Sequence, residues 1–302
     1  MSEPSRLVPL NTGRSACLPS VVGVIVTIIS IVPFALRAVK ADSQQCSVVA
    51  RVDAKSAGLT SRDIVVSVEK VSVPATTIKD YPEVPRNIAI VIDAGPDQMK
   101  VLSKEKDLAV GLINELAGDG TTFTITNVGA LPMMHAPTQD RSVAIEHICD
   151  IAGDNGKRTN LAIYDAIGSA LRQVSIDYGL RAVIFIGEGN DGGSKLPYAA
   201  LRNLAESYQV AFFATLVADH SLRGTKSILR YGWNLRELAS DTAGTFLENP
   251  KTQLATRRLT ESVRHLRLIA FEMPSRQSGR YKISVKSPQG ERLQAQKAIV
   301  TP

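Results

Sequence analysis

The chain is poor in the residues that most redox, metal and nucleotide chemistry needs. Of its 302 residues only four are His and three are Cys. His135, His147, His220 and His265 lie far apart, without the short spacings of a metal-binding set, and read as surface or helix residues. No G-x-G-x-x-G follows an apolar strand and no G-x-S-x-G occurs, which removes the common dinucleotide and serine-hydrolase signatures. The nearest approach to a phosphate loop is Gly153-Asp-Asn-Gly156-Lys157-Arg158-Thr159, but its first Gly is misplaced and its Lys is followed by Arg. Runs of Lys/Arg and basic-aromatic alternation are also missing. The formal charge is +6, but residues 1–41 hold four basic residues (Arg6, Arg14, Arg37, Lys40) against one acid (Glu3), so the remainder carries +3. So small an excess describes an ordinary solvated surface, and nucleic acid is not an expected partner.

Long apolar runs are scarce too, and the one present lies near the start. Residues 21–36 read VVGVIVTIISIVPFAL, without a charge, after a polar stretch holding Arg6 and Arg14. The run is short for a spanning helix and Pro33 interrupts it. Val39 and Ala41 fit the small-residue rule for cleavage after Ala41. A cleaved export signal over 1–41 is the favoured reading, with an uncleaved N-terminal anchor as the alternative. In either case the body of the chain lies outside the cytoplasm, and it touches a membrane only through 21–36, if uncleaved. Cys17 falls inside this segment without the flanking pattern that lipid attachment needs. Cys46 and Cys149 remain as thiols of an exported chain, and whether they pair is a question of geometry.

What the chain does have is enough apolar content, 44%, to bury a full core. Its organising stretch is Asn87-Ile-Ala-Ile-Val-Ile-Asp93-Ala-Gly-Pro-Asp97. An unbroken apolar run over 88–92 ends on a carboxylate and breaks at Gly-Pro, as a strand buried on both faces does. A helix is predicted over 99–116, its apolar stripe at Leu102, Ala109, Leu112, Ile113 and Leu116, with Lys104, Glu105, Lys106, Asp107 and Glu115 on the polar face. Asp93 then stands at the carboxyl end of a central strand, where open α/β sheets place ligand sites.

The theme repeats. Strands are expected over 121–128, 181–187, 210–217 and 245–248, with an antiparallel edge strand over 130–135. Helices are expected over 139–151, 161–174, 199–208, 235–242 and 254–266. This alternation means a doubly wound, mainly parallel sheet with helices on both faces. The flanks read as β: 46–52 and 64–73 before it, with 74–85 as a Pro-rich linker, then 268–273, 281–286 and 293–300 after it. The expected division is an α/β domain over 84–266 and a small β domain in which 46–83 packs with 267–302, because neither flank buries a face alone. Core packing is the favoured reading of Trp233, with an exposed contact patch beside Tyr231 as the alternative.

An acid-ended strand, a Thr after a Gly-rich loop at a helix start, and a later strand ending in an acid-Gly-acid loop resemble a von Willebrand factor type A domain. Gly58-Leu-Thr-Ser-Arg-Asp63, Tyr164-Asp165-Ala166, Leu235-Arg-Glu-Leu-Ala239 with Thr242-Ala-Gly244, and Ala295-Gln-Lys-Ala-Ile299 further resemble the exported von Willebrand A-related family described from acidobacteria. The resemblance covers about 46–300 and implies a non-catalytic binding or adhesion module with a protein or cell-surface ligand. It also implies a Mg²⁺-type cation held by Asp-x-Ser-x-Ser, a Thr from a second loop and an Asp from a third.

Carried over residue by residue, that site is altered. Asp93 is kept, Gly95 and Asp97 replace the two Ser, Thr159 fits the second loop, and Glu188 takes the place of the Asp, with Asp191 just beyond. Losing the hydroxyl at 95 removes a ligand, and Asp97 adds charge that weakens the pull on a partner's carboxylate. Ca²⁺ tolerates such a shell better than Mg²⁺. Without metal, Asp93, Asp97 and Glu188 repel one another and at least one titrates high; alternatively the acids only cap loops and a helix start. A metal-free structural or assembly module and a hydrolase using the acidic cluster are the rival functions. No catalytic residue is nominated.

Overall fold

Strand β4 (Arg86–Asp93) is buried along its whole length, which fixes it at the centre of a sheet. In the computed structural model the sheet order is β6-β5-β4-β7-β8-β9. Its members are β5 (Thr121–Val128), β7 (Leu180–Gly187), β8 (Ala211–Leu216) and β9 (Phe246–Glu248), all parallel, with β6 (Met133–Met134) antiparallel at one edge. The structure describes residues 44–301 apart from 53–58, 130–131, 154–160, 218–225, 275–276 and 288–291. The described residues belong to one compact unit. The export segment 1–41, the turns at 58 and 288–290, Thr159, and the side chains of Asp97 and Tyr231 lie outside what is described.

Strand alternation divides the core. Ile88, Ile90 and Ile92 face α1 (Leu102–Leu116), α2 (Arg141–Cys149) and α6 (Thr252–Arg264), where Leu108, Leu112, Ile148 and Leu259 complete one cluster. Ala89 and Val91 face the other way, onto α3 (Ile163–Val174), α4 (Tyr198–Ser207) and α5 (Lys226–Asp241). α3 forms because Ile163, Ile167, Ala170, Leu171 and Val174 recur on one stripe, all buried. Each such Ile or Leu contributes about 1.5–3 kcal/mol by leaving water.

The flanking strands make a second, antiparallel sheet in the order β12-β1-β10-β3-β2-β11-β13, with β12 also pairing β11. Its strands are β1 (Gln45–Arg51), β2 (Val65–Val68), β3 (Val71–Lys79), β10 (Leu266–Glu272), β11 (Gly279–Lys286), β12 (Arg292–Ala295) and β13 (Ala298–Thr301). The extra pairing closes six strands into a barrel-like ring around Val48, Val66, Ile269, Phe271 and Val285. Closure leaves few unpaired edges.

Several expectations need correction. The run 64–73 is not one strand: it folds back at Glu69 and Lys70, both at positive φ (52° and 100°), and β3 then runs through the supposed linker to Lys79. Sequence gave no Asn-Gly signal there; instead Glu69 Oε1 accepts from Lys282 N–H at 2.6 Å and pins the turn. The run 293–300 breaks at Gln296-Lys297, whose N–H groups turn away to Val49 O and Asp241 O. Helix α5 begins earlier than expected, at Lys226. Trp233 is 66% exposed, not core: Leu235, Leu238 and Ala239 are the buried side of α5, and a residue two positions from Leu235 points away. Cys46 and Cys149 are both free, one in β1 and the other at the end of α2.

Candidate functional site

The site is built where β4 and β7 end side by side. Asp93, 1% exposed, accepts the Gly95 N–H at Oδ1, 3.1 Å away. Gly187 ends β7 so close that a Cβ there would lie 2.2 Å from the Asp93 Cβ, so only glycine lets the two strands finish together. Glu188 follows directly and is buried.

Past Gly95 the chain makes a 3-10 turn over Pro96–Gln98. The Gln98 side chain swings inward, its Nε2 donating to Glu188 Oε2 at 3.3 Å. Below it, Glu105 in the first turn of α1 is completely buried, and neither carboxyl oxygen has a hydrogen-bond partner among the described residues. Burial, and then the charges of Asp93 and Glu188, push its pKa well above the usual carboxylate range, with only Lys104 opposing. The acid that titrates high is therefore one that sequence reading assigned to the polar face of the helix. Glu105 falls four residues before Ala109, on the buried stripe, and that spacing was the available signal. Gln98, also missed, carries no pattern that would single it out.

Asp191 belongs to a different task. Its Oδ1 accepts from Tyr164 N–H at 3.2 Å and from the Ser194 hydroxyl. Burial raises its pKa, while those bonds and one from Ile163 N–H hold it down. Asp165 in turn accepts from Lys195 and Leu196 N–H at 3.0 and 2.8 Å. The two acids stitch the loop after β7 to the start of α3, which is capping chemistry.

The five candidate ligands are thus not brought into one described set. Asp93 and Glu188 share the floor of the site, Asp191 is occupied in capping, and Thr159 and the Asp97 side chain are outside the described residues. Where the missing hydroxyl at position 95 would begin, a Cβ would lie 2.4 Å from Leu161 Cδ1, so an apolar side chain fills that place. Among the described residues no group of three or more His, Cys, Asp or Glu is placed to hold a metal ion. The described donors alone, Asp93 and Glu188, are fewer than the six or more oxygens that Mg²⁺ or Ca²⁺ takes.

No family model matches the chain, and no curated protein matches it. Among solved structures it is similar to an aerotolerance-related membrane protein from Bacteroides fragilis, at 14% identity over 59% of this chain and 98% of that one, with a TM-score of 0.46. It is also similar to proximal thread matrix protein 1 from the mussel byssus, solved with a zinc-occupied MIDAS motif, at 16% identity over 62% of this chain and 47% of that one, TM-score 0.46. A third is the von Willebrand domain of a type V pilus tip protein from Porphyromonas gingivalis, at 13% identity over 36% of this chain and 39% of that one, TM-score 0.32. The α/β half of the described chain sets its acid-ended central strand in the order β6-β5-β4-β7-β8-β9, parallel except for β6, between two layers of helices.

Proposed function

We propose that this chain is an extracytoplasmic, adhesion-type module that binds a protein or cell-surface ligand through the loop face at the carboxyl ends of β4, β5, β7 and β8, without a working cation. The observation that carries this reading is the contrast at that face between buried acids and exposed apolar side chains. Asp93, Glu105 and Glu188 are withdrawn from solvent, while Met99, Met133, Met134 and Trp233 stand 42%, 53%, 36% and 66% exposed. Met99 follows β4, the two Met lie beside the end of β5, and Trp233 adjoins Gly232, whose position abuts Leu216 at the end of β8. Exposed Met and Trp are the residue types that anchor protein contacts. The same burial of the acids argues against the hydrolase reading, because neither Asp93 nor Glu188 is open to a substrate.

Calorimetric titration of Mg²⁺ and Ca²⁺ into the full chain tests the metal-free part. No saturable binding at millimolar cation is expected; saturable binding that disappears in Asp93→Ala overturns it. The contact face is tested by adsorption of the full chain to intact cells of its source organism. Trp233→Ser with Met133→Ser should abolish adsorption in the presence and absence of EDTA, and adsorption unchanged in that double variant would place the contact elsewhere.

A further inference from the structure

A cleft lies at the end of the parallel sheet opposite the loop face. It holds about 530 Å³ and opens between the β ring and the turns that lead into β7 and β8. One wall is the face of β1, β10 and β3, presenting Ser47, Thr77 and Lys79; the other presents Tyr178, just before β7, and Gln209, just before β8. The volume is that of a small-ligand site.

The walls are tied together at two points. Ser47 Oγ donates to Gln209 Oε1 at 2.6 Å, and Lys79 Nζ donates to the Tyr178 hydroxyl at 3.0 Å. Gln209 holds a left-handed backbone, φ 55°, to deliver its amide there, an uncommon conformation for a residue with a side chain. The Lys79 ammonium is 5.4 Å from the Tyr178 ring centroid, out past the hydroxyl, so the ring faces stay open, and Tyr178 is 58% exposed.

The chemistry of the lining selects among ligands. Among the described lining residues only Leu268, Ala270 and Val300 are aliphatic, too few for an apolar guest. Among the described residues that line it none is a carboxylate, whereas one, Lys79, is a cation, so these residues favour an anion. A peptide strand would need an unpaired sheet edge, but β10 is hydrogen-bonded to β1 on one side and β3 on the other, so this wall is a closed sheet face. What remains are amides and hydroxyls, which both donate and accept, an open aromatic face, and one cation. A sugar offers hydroxyls to the first, a C–H face to the second, and, if it is a uronic acid, a carboxylate to the third.

We propose that this cleft binds a segment of an acidic, uronic-acid-bearing saccharide, with Tyr178 packed on a sugar ring, Lys79 on its carboxylate, and Gln209 and Ser47 on its hydroxyls. The site is independent of the loop face at the other end of the sheet. Burial pushes the Cys46 thiol up and keeps it protonated, so it is a neutral part of the wall.

The test is calorimetric titration of the full chain with tetragalacturonate, and with maltotetraose as the uncharged counterpart. Saturable binding of tetragalacturonate is expected, with maltotetraose weaker. Lys79→Ala should weaken tetragalacturonate about tenfold and erase the preference for the acid. Tyr178→Ala should weaken both sugars, while Tyr178→Phe keeps the ring and largely restores binding. Absence of binding by tetragalacturonate, or isotherms unaffected by Lys79→Ala and Tyr178→Ala, would overturn the proposal. Circular dichroism of each variant separates lost binding from lost folding.

Discussion

At the residue scale the decisive group is Glu105. A fully buried carboxyl without a hydrogen-bond partner is costly when ionised, and Asp93 and Glu188 add to that cost. Its folded pKa is raised above the unfolded value, so the native state holds the extra proton. Stability from this group is therefore greatest at low pH and falls as pH rises from the ordinary carboxylate range toward the raised value. Glu105→Gln removes the titration while keeping the shape. Urea unfolding at pH 5 and pH 8 should show the variant gaining about 1–3 kcal/mol over the parent at the higher pH, with little difference at the lower. A gain that is larger at pH 5 would mean that Glu105 is held ionised, and the account of the site would fail. The site was legible only in part for a related reason. Asp93 could be read because it ends an apolar run, and Glu188 because it ends another, but Glu105 looked like one charge among several on a solvated helix face. Nothing in the sequence says that Asp191 is engaged by Tyr164 N–H, since that bond joins the start of α3 to a loop 27 positions away.

At the scale of elements, strands and helices followed hydrophobic period closely wherever an element had a long, regular pattern. β4, β5, β7 and α3 are of this kind, each buried on the face or faces its spacing requires. Turns set by tertiary contacts were the part that could not be read. The β2–β3 hairpin reverses on Glu69-Lys70 because Glu69 is held from β11, and a contact across 213 positions leaves no local trace. Lys70, at φ 100°, has a backbone that favours glycine. Lys70→Gly should therefore raise the midpoint of thermal unfolding, by a stabilisation of up to about 1 kcal/mol, while Glu69 continues to anchor the turn. Gly187→Ala makes the opposite case. A methyl group there would lie 2.2 Å from the Asp93 Cβ and 3.0 Å from Phe185 Cζ, and a Cβ can yield only if its own strand moves. Destabilisation of about 2–4 kcal/mol by urea titration is expected, and a cost below 0.5 kcal/mol would show that the ends of β4 and β7 are not locked together.

At the scale of the molecule, the β ring and the α/β half are joined by a charged seam. Glu206 on α4 is 0% exposed and takes both arms of Arg280 from β11, at 2.6 and 2.7 Å, with Arg202 at 3.2 Å. Beside it Asp241 at the end of α5 meets Arg202 at 2.8 Å and Lys297 at 2.7 Å. Gln296, itself buried, donates to Glu206 O at 2.6 Å, so the break between β12 and β13 exists to reach this seam. Glu206 is buried but Arg202 and Arg280 are 30% and 40% exposed, so water takes over part of their charge once it is removed, and Glu206→Ala should cost about 1–3 kcal/mol. The seam also makes a claim about cooperativity. Trp233 is the single tryptophan and sits on α5, so its fluorescence follows the α/β half alone, whereas far-ultraviolet circular dichroism follows both sheets. In the parent chain the two urea curves should coincide, as they do when one transition unfolds everything. In Glu206→Ala they should separate, because the seam that makes the two sheets unfold together has lost its centre. Curves that stay coincident in the variant would mean that backbone pairing, such as Lys297 N–H to Asp241 O at 2.8 Å and Val52 N–H to His265 O at 3.0 Å, suffices to couple the halves without the charges.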